Sequence, residues 1–290
     1  MKKILITGQN SYIGNKFAEW VSQWPDEYQI TKISVRNDDW KNQNWGIYDV
    51  VLNVAGIAHN SSDKSLEDLY YRVNRDLTID LASKAKSDEV KQFIHLSSMI
   101  VYGASKTING MIKKDTLPEP ANFYGDSKLQ GEIGIQPLSD EKYKVAIVRP
   151  PMIYGKGSKG NYPLLSKLAQ KTLVFPDFKN QRSMLHIDNL NEFLRLLIDN
   201  QDEGIFHPQN AEYVITSELV REVAKVHNHK IIFTKIGNPI IAGLRNKISL
   251  FNKVFGDQIY DKSMSQYDHG DYRIKNFEES IKLTEGEGAV

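Results

Sequence analysis

No cysteine occurs among the 290 residues, which removes disulfides, thiolate metal sites and a thiol nucleophile. An excess of charge of one sign is missing as well: 37 Lys and Arg stand against 36 Asp and Glu, a net charge of +1. Both signs are interspersed, as on an ordinary solvated surface, without the basic field that holds nucleic acid. No apolar run approaches the length of a membrane span. Lys2-Lys3 opens like a signal peptide, yet only Ile4–Ile6 follows before Thr7-Gly8, too short for an apolar signal core. The expectation is a cytoplasmic globular chain with no nucleic-acid partner and no membrane span. Its length suffices for one large core, or a core with a smaller lobe.

What is present is alternation. Ile4–Ile6, Ile30–Val35, Asp49–Val54, Phe93–Leu96 and Lys144–Val148 read as buried strands. Between the first two, Phe17, Trp20, Val21 and Trp24 recur at i, i+3, i+4 and i+7, one apolar face of a helix over Asn15–Trp24. Over Glu67–Ala85, Leu69, Val73, Leu77 and Leu81 recur every fourth residue, and a further helix starts near Tyr124. Strands alternating with helices predict an α/β fold with a doubly wound parallel (Rossmann) sheet and right-handed crossovers, here over residues 1–150. Past Pro150-Pro151 the rhythm weakens into a Gly-, Lys- and Asn-rich loop (Gly155–Tyr162), a short strand (Ser183–Ile187) and helices near Leu164–Lys171, Leu190–Ile198 and the NFEESIKL segment. Residues 151–290 are therefore expected to form mainly a smaller C-terminal α/β lobe, with 180–202 folding back onto the first domain.

The opening ITGQNSYIG sets Gly8 and Gly14 between a strand and an amphipathic helix, the order a dinucleotide-binding turn requires. The first glycine permits the tight turn, the last lets helix and strand pack closely, and the helix N-terminus offers free N–H groups to a pyrophosphate. An ordinary βα loop is the competing reading, because such glycine pairs are common. Ser11 stands where a middle glycine is usual, its hydroxyl placed to donate to a phosphate oxygen instead. The second strand ends Ser34-Val35-Arg36-Asn37. An NAD site usually carries an acid there for the ribose hydroxyls, whereas Arg36 suits a 2′-phosphate, so NADP(H) is favoured over NAD. A solvated surface arginine is the plainer alternative.

Two more stretches carry chemistry. Tyr124 and Lys128, in YGDSK, share a helix face at i and i+4. A phenol titrating near 10 needs its phenolate stabilised to exchange protons at neutral pH, and an ammonium one turn away supplies that field. Ser98, in HLSSMIVYG, follows a strand end, where open α/β sheets bind ligands. A lone Tyr-x-x-x-Lys is usually coincidence. The ordered conjunction of glycine turn, strand-end serine and helical Tyr/Lys is far more specific.

With these motifs in hand, the chain resembles the extended short-chain dehydrogenase/reductase superfamily, the NAD-dependent epimerase/dehydratase group acting on nucleotide sugars. The segments carrying the resemblance are Thr7–Gly14, Asp49–His59, Tyr70–Asn74, Ser97–Gly103, YGDSK, Val145–Gly155 and Arg182–Leu190. It is most similar to the bacterial capsule and O-antigen 4-ketoreductases of UDP-2-acetamido-2,6-dideoxy-hexos-4-uloses. The resemblance implies a catalytic set of Ser98 (orienting the carbonyl), Tyr124 (acid/base) and Lys128 (electrostatic and ribose partner). It implies that Gly8, Ser11, Tyr12, Ile13 and Gly14 line the pyrophosphate, that Val54 and Ala55 pack by the cofactor, and that Asn74 lies close to it. Arg182 corresponds to an arginine that contacts the nucleotide diphosphate, and a homodimer is implied by kinship.

Departures from the pattern sharpen this reading. The stretch between the second and third strands is short, and Met152 takes a place often held by a substrate-binding Asn. Met99-Ile100 replaces the Asp-Glu pair that sugar 4,6-dehydratases use to move protons during water elimination. A reductase or an epimerase remains, and the resemblance implies an NADPH-dependent 4-ketoreductase of a UDP-linked 6-deoxy-amino-sugar in surface polysaccharide biosynthesis. A UDP-hexose 4-epimerase with bound NAD is the alternative, and a non-catalytic NADP-binding regulator the second. His59 would lie near the substrate or serve only structure. His227-Asn228-His229 matches no metal-ligand spacing, and no metal is expected. The run Lys230–Phe255 mixes Ile, Leu and Phe with Lys235, Arg245, Lys247 and Lys253, the composition of an interfacial helix, although core or a subunit contact is the commoner outcome.

Overall fold

Strand–helix alternation produces the expected α/β architecture in a computed structural model that describes residues 1–58, 63–103, 110–245 and 247–286. In chain order the strands are β1 (Lys2–Thr7), β2 (Tyr28–Ile33), β3 (Val50–Asn53), β4 (Gln92–Leu96), β5 (Met111–Ile112) and β6 (Lys144–Val148). There follow β7 (Met152–Tyr154), β8 (Val174–Pro176), β9 (Met184–His186), β10 (Gly204–Phe206), β11 (Ile232–Thr234) and β12 (Ile259–Tyr260). The helices are α1 (Tyr12–Val21), α2 (Glu67–Tyr70), α3 (Leu77–Ser87), α4 (Phe123–Ile135) and α5 (Tyr162–Lys171), then α6 (Ile187–Asn200), α7 (Thr216–Val226), α8 (Asn238–Leu244), α9 (Ser249–Phe255) and α10 (Phe277–Glu285).

Six parallel strands form the central sheet in the order β10-β6-β4-β3-β1-β2. The chain leaves β1 to one side for β2 and returns on the other for β3. This reversal opens a crevice at the C-terminal ends of β1 and β3, where doubly wound sheets bind ligands. Both sheet faces are apolar. Ile4, Ile6, Leu52 and Ile94 meet Phe17 of α1 and Leu190 and Leu194 of α6. Leu5, Val51, Phe93 and Val145 meet Leu81 and Ala85 of α3 and Ile135 of α4. Burial on both sides explains why these strands read as continuous apolar runs. β10 joins the sheet beside β6, with Ile205 opposite Ile147.

One local feature departs from expectation. Over 67–87 the helix is interrupted by a π-helical stretch, Tyr71–Asp76. The inward face is therefore Tyr70, Asn74, Thr78 and Leu81, and Leu69 is exposed. A π turn widens the helix and shifts its register, and Asn74 is turned inward. Between β2 and β3 the chain makes only a short 3₁₀ turn, Asp38–Asn42, anchored by buried Trp40 and Trp45, whose rings lie 5.7 Å apart.

Three two-stranded parallel sheets, β8/β11, β5/β12 and β7/β9, accompany a separate core built from residues beyond β6. That core includes Tyr154, Leu165, Phe175, Val220, Phe255 and Ile281.

Candidate active site

The glycine turn is built around positive φ and close packing. Gly8 has φ +92°, and a Cβ there would stand 3.2 Å from the Ala55 nitrogen, so the backbone after β1 runs against the loop after β3. A Cβ on Gly14 would stand 2.9 Å from Ile6 Cγ2 and 3.1 Å from Val54 Cγ2, so α1 seats directly on the strands. Ser11 caps that helix: its Oγ accepts from the Gly14 N–H at 3.2 Å, and its N–H donates to the Gly8 carbonyl at 2.8 Å. The cap uses the oxygen as acceptor and leaves the hydroxyl proton free to donate. Tyr12 and Ile13, in the first turn of α1, line the adjoining cleft. Such a helix N-terminus, reached through a turn packed too closely for a Cβ at Gly8 or Gly14, fits a dinucleotide pyrophosphate.

The second wall is the loop after β3. Its first turn is set by a buried polar row across the strand ends: Asn53 Oδ1 accepts from Thr7 Oγ1 at 2.7 Å and from the Ala55 N–H at 3.1 Å. Asn74 braces the next residues. Its Oδ1 accepts from the Ile57 N–H at 3.0 Å, and its Nδ2 donates to the Ile57 carbonyl and to Ser127 Oγ, each at 3.1 Å. Asn74 thus supports the cleft from beneath rather than lining it. Gly56 is squeezed between elements: a Cβ there would lie 3.0 Å from Lys128 Nζ.

Between these walls lies a cleft of about 450 Å³. Ser98 caps the 3₁₀ turn Met99–Tyr102, its Oγ accepting from the Ile100 N–H at 3.2 Å. α4 begins opposite, capped by Asn122, whose Oδ1 accepts from the Gly125 N–H at 3.0 Å. Helix and turn meet so closely that a Cβ on Gly125 would stand 2.8 Å from the Ile100 carbonyl oxygen. Tyr124 and Lys128, one turn apart on α4, both line the cleft with Ser98. Ser98 hydrogen-bonds the Tyr124 phenol, and Lys128 Nζ donates to the Leu96 carbonyl at 2.9 Å.

The electrostatics differ from expectation. Burial pushes the Tyr124 phenol up to about 12, with the Ser98 hydrogen bond pulling it partway back and Tyr70 adding to the rise. Desolvation of the phenolate therefore outweighs any acidifying field here, and the phenol stays protonated at neutral pH. Burial also brings Lys128 down to about 8, opposed by the Glu132 carboxylate one turn further along α4. Glu132 is fully buried and paired with Arg149, Nη2 lying 2.5 Å and Nε 3.0 Å from Oε2. Ser97 also donates to Glu132, and Arg149 Nη1 donates to the Tyr102 hydroxyl at 2.7 Å.

Arg182 lines the cleft from the C-terminal lobe, beside Ser183 and Gln258. Its Nη1 donates to the Asn252 and Gly256 carbonyls at 3.4 Å, and burial lowers its pKa. Arg36 is exposed beyond the end of β2, outside the cleft. Met99, Ile100 and Met152 all face the cleft. Among its described lining residues there is no carboxylate and no imidazole. His59 lies outside the described residues. His227 pairs with Glu285 at 2.7 Å and His229 Nε2 lies 2.8 Å from the Thr172 carbonyl.

Sequence reading missed Ser158, Lys159 and Asn161, which line the cleft mouth. The only signal was the Gly- and Lys-rich composition of their loop. The hydroxyls of Ser158 and Tyr12 are buried with no hydrogen-bond partner among the described residues. Gln258 carried no signal at all.

A dinucleotide turn joined to a Ser/Tyr/Lys cleft defines a nicotinamide-dependent enzyme of the short-chain dehydrogenase/reductase kind. The model of the NAD dependent epimerase/dehydratase family matches residues 4–215. The chain is 31% identical over 248 residues to UDP-glucose 4-epimerase of Vibrio cholerae, spanning 77% of this chain and 75% of that protein. It superposes on RMD from Pseudomonas aeruginosa, solved with NADPH, with a TM-score of 0.76 at 15% identity, covering 98% of each chain. It likewise superposes on UDP-glucuronic acid 4-epimerase from Bacillus cereus, solved with NAD, with a TM-score of 0.73 at 18% identity, covering 97% of this chain and 95% of that one. The chain belongs to the NAD-dependent epimerase/dehydratase family and is an NAD(P)-dependent nucleotide-sugar enzyme.

Proposed function

We propose that the protein reduces the 4-keto group of a UDP-linked 6-deoxy-amino-sugar with NADPH, in the cytoplasm, for surface polysaccharide. One observation carries this reading: a buried Tyr124 phenol, hydrogen-bonded to Ser98 and one turn from Lys128, faces a cleft free of carboxylates among its described residues. Reduction of a ketone needs a proton donor at the oxygen, and a phenol pushed up to about 12 arrives in that state. Ser98 donates to the carbonyl oxygen and orients it. Tyr124 Oη gives that oxygen its proton, and the Lys128 ammonium stabilises the phenolate left behind. Water elimination would need a second acid and base, which Met99 and Ile100 cannot supply.

The turn Gly8–Gly14 would hold the pyrophosphate and Arg36 the 2′-phosphate, with Val54 and Ala55 beside the cofactor; Arg182 would take the diphosphate of the sugar nucleotide. When bound, the dinucleotide supplies the hydride.

A second reading, UDP-sugar 4-epimerase with retained NAD, is favoured by the Vibrio cholerae relative. The test follows nicotinamide fluorescence with NADPH and NADH across a panel of UDP- and dTDP-4-keto sugars and unoxidised UDP-hexoses. NADPH consumption on a UDP-4-keto-6-deoxy-amino-sugar is the expected result. Tightly bound NAD in the purified protein, with UDP-hexose interconversion and no added cofactor, overturns it in favour of the epimerase. Background turnover with every sugar despite dinucleotide binding leaves only a regulator.

A further inference from the structure

The C-terminal lobe turns apolar side chains outward on one face. β8 and β11 pair in register, Val174 opposite Ile232. Phe175 points inward with Phe255, while Leu173 and Ile232 are each 69% exposed. α8 continues this face: it is held to the end of β8 by Asn238 Nδ2, which donates to the Asp177 carbonyl at 2.9 Å. Of the α8 residues only Ile241 is buried. Ile240 is 65% and the preceding Ile236 90% exposed. α5 leads into β8 and exposes Leu164 and Leu168, one turn apart. A surface strand or helix normally sends its apolar side inward; here large apolar side chains stand on the outer side of these elements as well.

The chain segments that form the face carry charge of one sign. No Asp or Glu occurs from 142 to 176 or from 223 to 256, in a chain whose charges otherwise balance. Lys167 and Lys171 flank the exposed leucines of α5, and Lys230, Lys235 and Lys247 flank β11 and α8; all five are exposed. None of them forms an ion pair among the described residues. The neighbouring acid, Asp177, is already engaged by Arg221 at 3.8 Å and Ser217 at 3.4 Å.

We propose that this face, formed by β8, β11, α8 and the outer side of α5, docks the protein on a membrane surface containing anionic lipid. Protruding isoleucines and leucines ringed by lysines match an acyl layer beneath negative headgroups. A second copy would bring lysines against lysines, which disfavours self-association. A folded acidic protein would need a groove to receive Ile236 and Ile240, whereas a fluid layer needs none. The cleft is close by: Asn161 lines it and Leu164 belongs to the face, about one helical turn away.

The test is co-sedimentation of the full chain with phosphatidylcholine vesicles and with vesicles of roughly two parts phosphatidylcholine to one of phosphatidylglycerol. Expected is at least about tenfold stronger partition onto the anionic vesicles, weakened severalfold by raised salt. Ile236→Asp/Ile240→Asp and, separately, Lys167→Glu/Lys171→Glu should each abolish most of that binding while leaving turnover of soluble substrate unchanged. No binding by the unaltered protein, equal binding to both vesicle types, or full binding by either variant overturns the proposal. So does a dimer in light scattering that Ile236→Asp/Ile240→Asp converts to monomer without vesicle binding, which would make the face a subunit contact. Because the readout is partition, failure here leaves the ketoreductase reading standing, and the reverse also holds.

Discussion

Lys128 should cost the fold stability at neutral pH, and replacing it should reveal how much. Its ammonium is buried, and its pKa falls from 10.5 to about 8. Between those values the unfolded chain binds more protons at this site than the folded one, so the lysine's contribution to stability rises with pH through that window. At about 1.4 kcal/mol per unit, the full shift amounts to about 3 kcal/mol of destabilisation below pH 8. Integrating from pH 7 to 10 recovers most of it, about 2–3 kcal/mol. Lys128→Met keeps the chain's length and removes the titration, but it also removes the bond to the Leu96 carbonyl, worth a comparable but pH-independent amount. The clean quantity is therefore a difference of differences: urea unfolding of both proteins at pH 7 and pH 10, without dinucleotide. The unaltered protein should gain about 2–3 kcal/mol more than the variant over that interval, while the variant loses turnover. Parallel pH dependences would mean that Lys128 is solvated in solution, and the electrostatic account of the site would fail.

Further outcomes follow from the same geometry. Tyr124→Phe should lower kcat by about 10²–10⁴-fold with dinucleotide binding intact by fluorescence titration; full activity would remove the phenol from the chemistry. In the reductive direction kcat/KM should be level below pH 8 and fall above it as Lys128 loses its proton. Glu132→Gln should move that limb to lower pH, since Glu132 holds Lys128 up, and should cost about 3–5 kcal/mol in chemical denaturation by leaving Arg149 buried without its carboxylate. Arg36→Ala should raise KM for NADPH about tenfold and leave KM for NADH nearly unchanged, as expected for loss of a 2′-phosphate contact. Gly14→Ala, whose methyl would lie 2.9 Å from Ile6 Cγ2, should cost about 1–3 kcal/mol by overpacking and weaken dinucleotide binding in the same titration.

What could be read from the chain and what could not divides along a physical line. The central strands were legible because each is covered on both faces, so burial writes an unbroken apolar run. β10 was not: three residues at a sheet edge, two of them exposed, leave no such run. Tyr124 and Lys128 were legible because α4 is regular and spacing along a regular helix is geometry. The same rule misread 67–87, where the π stretch shifts the register and brings Asn74, not Val73, inward, while Leu81 stays buried. Protonation was misread for a different reason. An ammonium one turn from a phenol looks acidifying on paper, but the sign of the shift depends on how much water is removed from the phenol itself. Tyr70 packs its ring 5.7 Å from that of Tyr124, and Ser98 arrives from another strand end. Neither is visible in the spacing of YGDSK. Glu132, which opposes the fall in the Lys128 pKa, is itself held by Arg149, 17 residues further along the chain. Local spacing can thus set Tyr124 and Lys128 on one helix face, but the charge state of the phenol is set by contacts that exist only once the sheet has assembled.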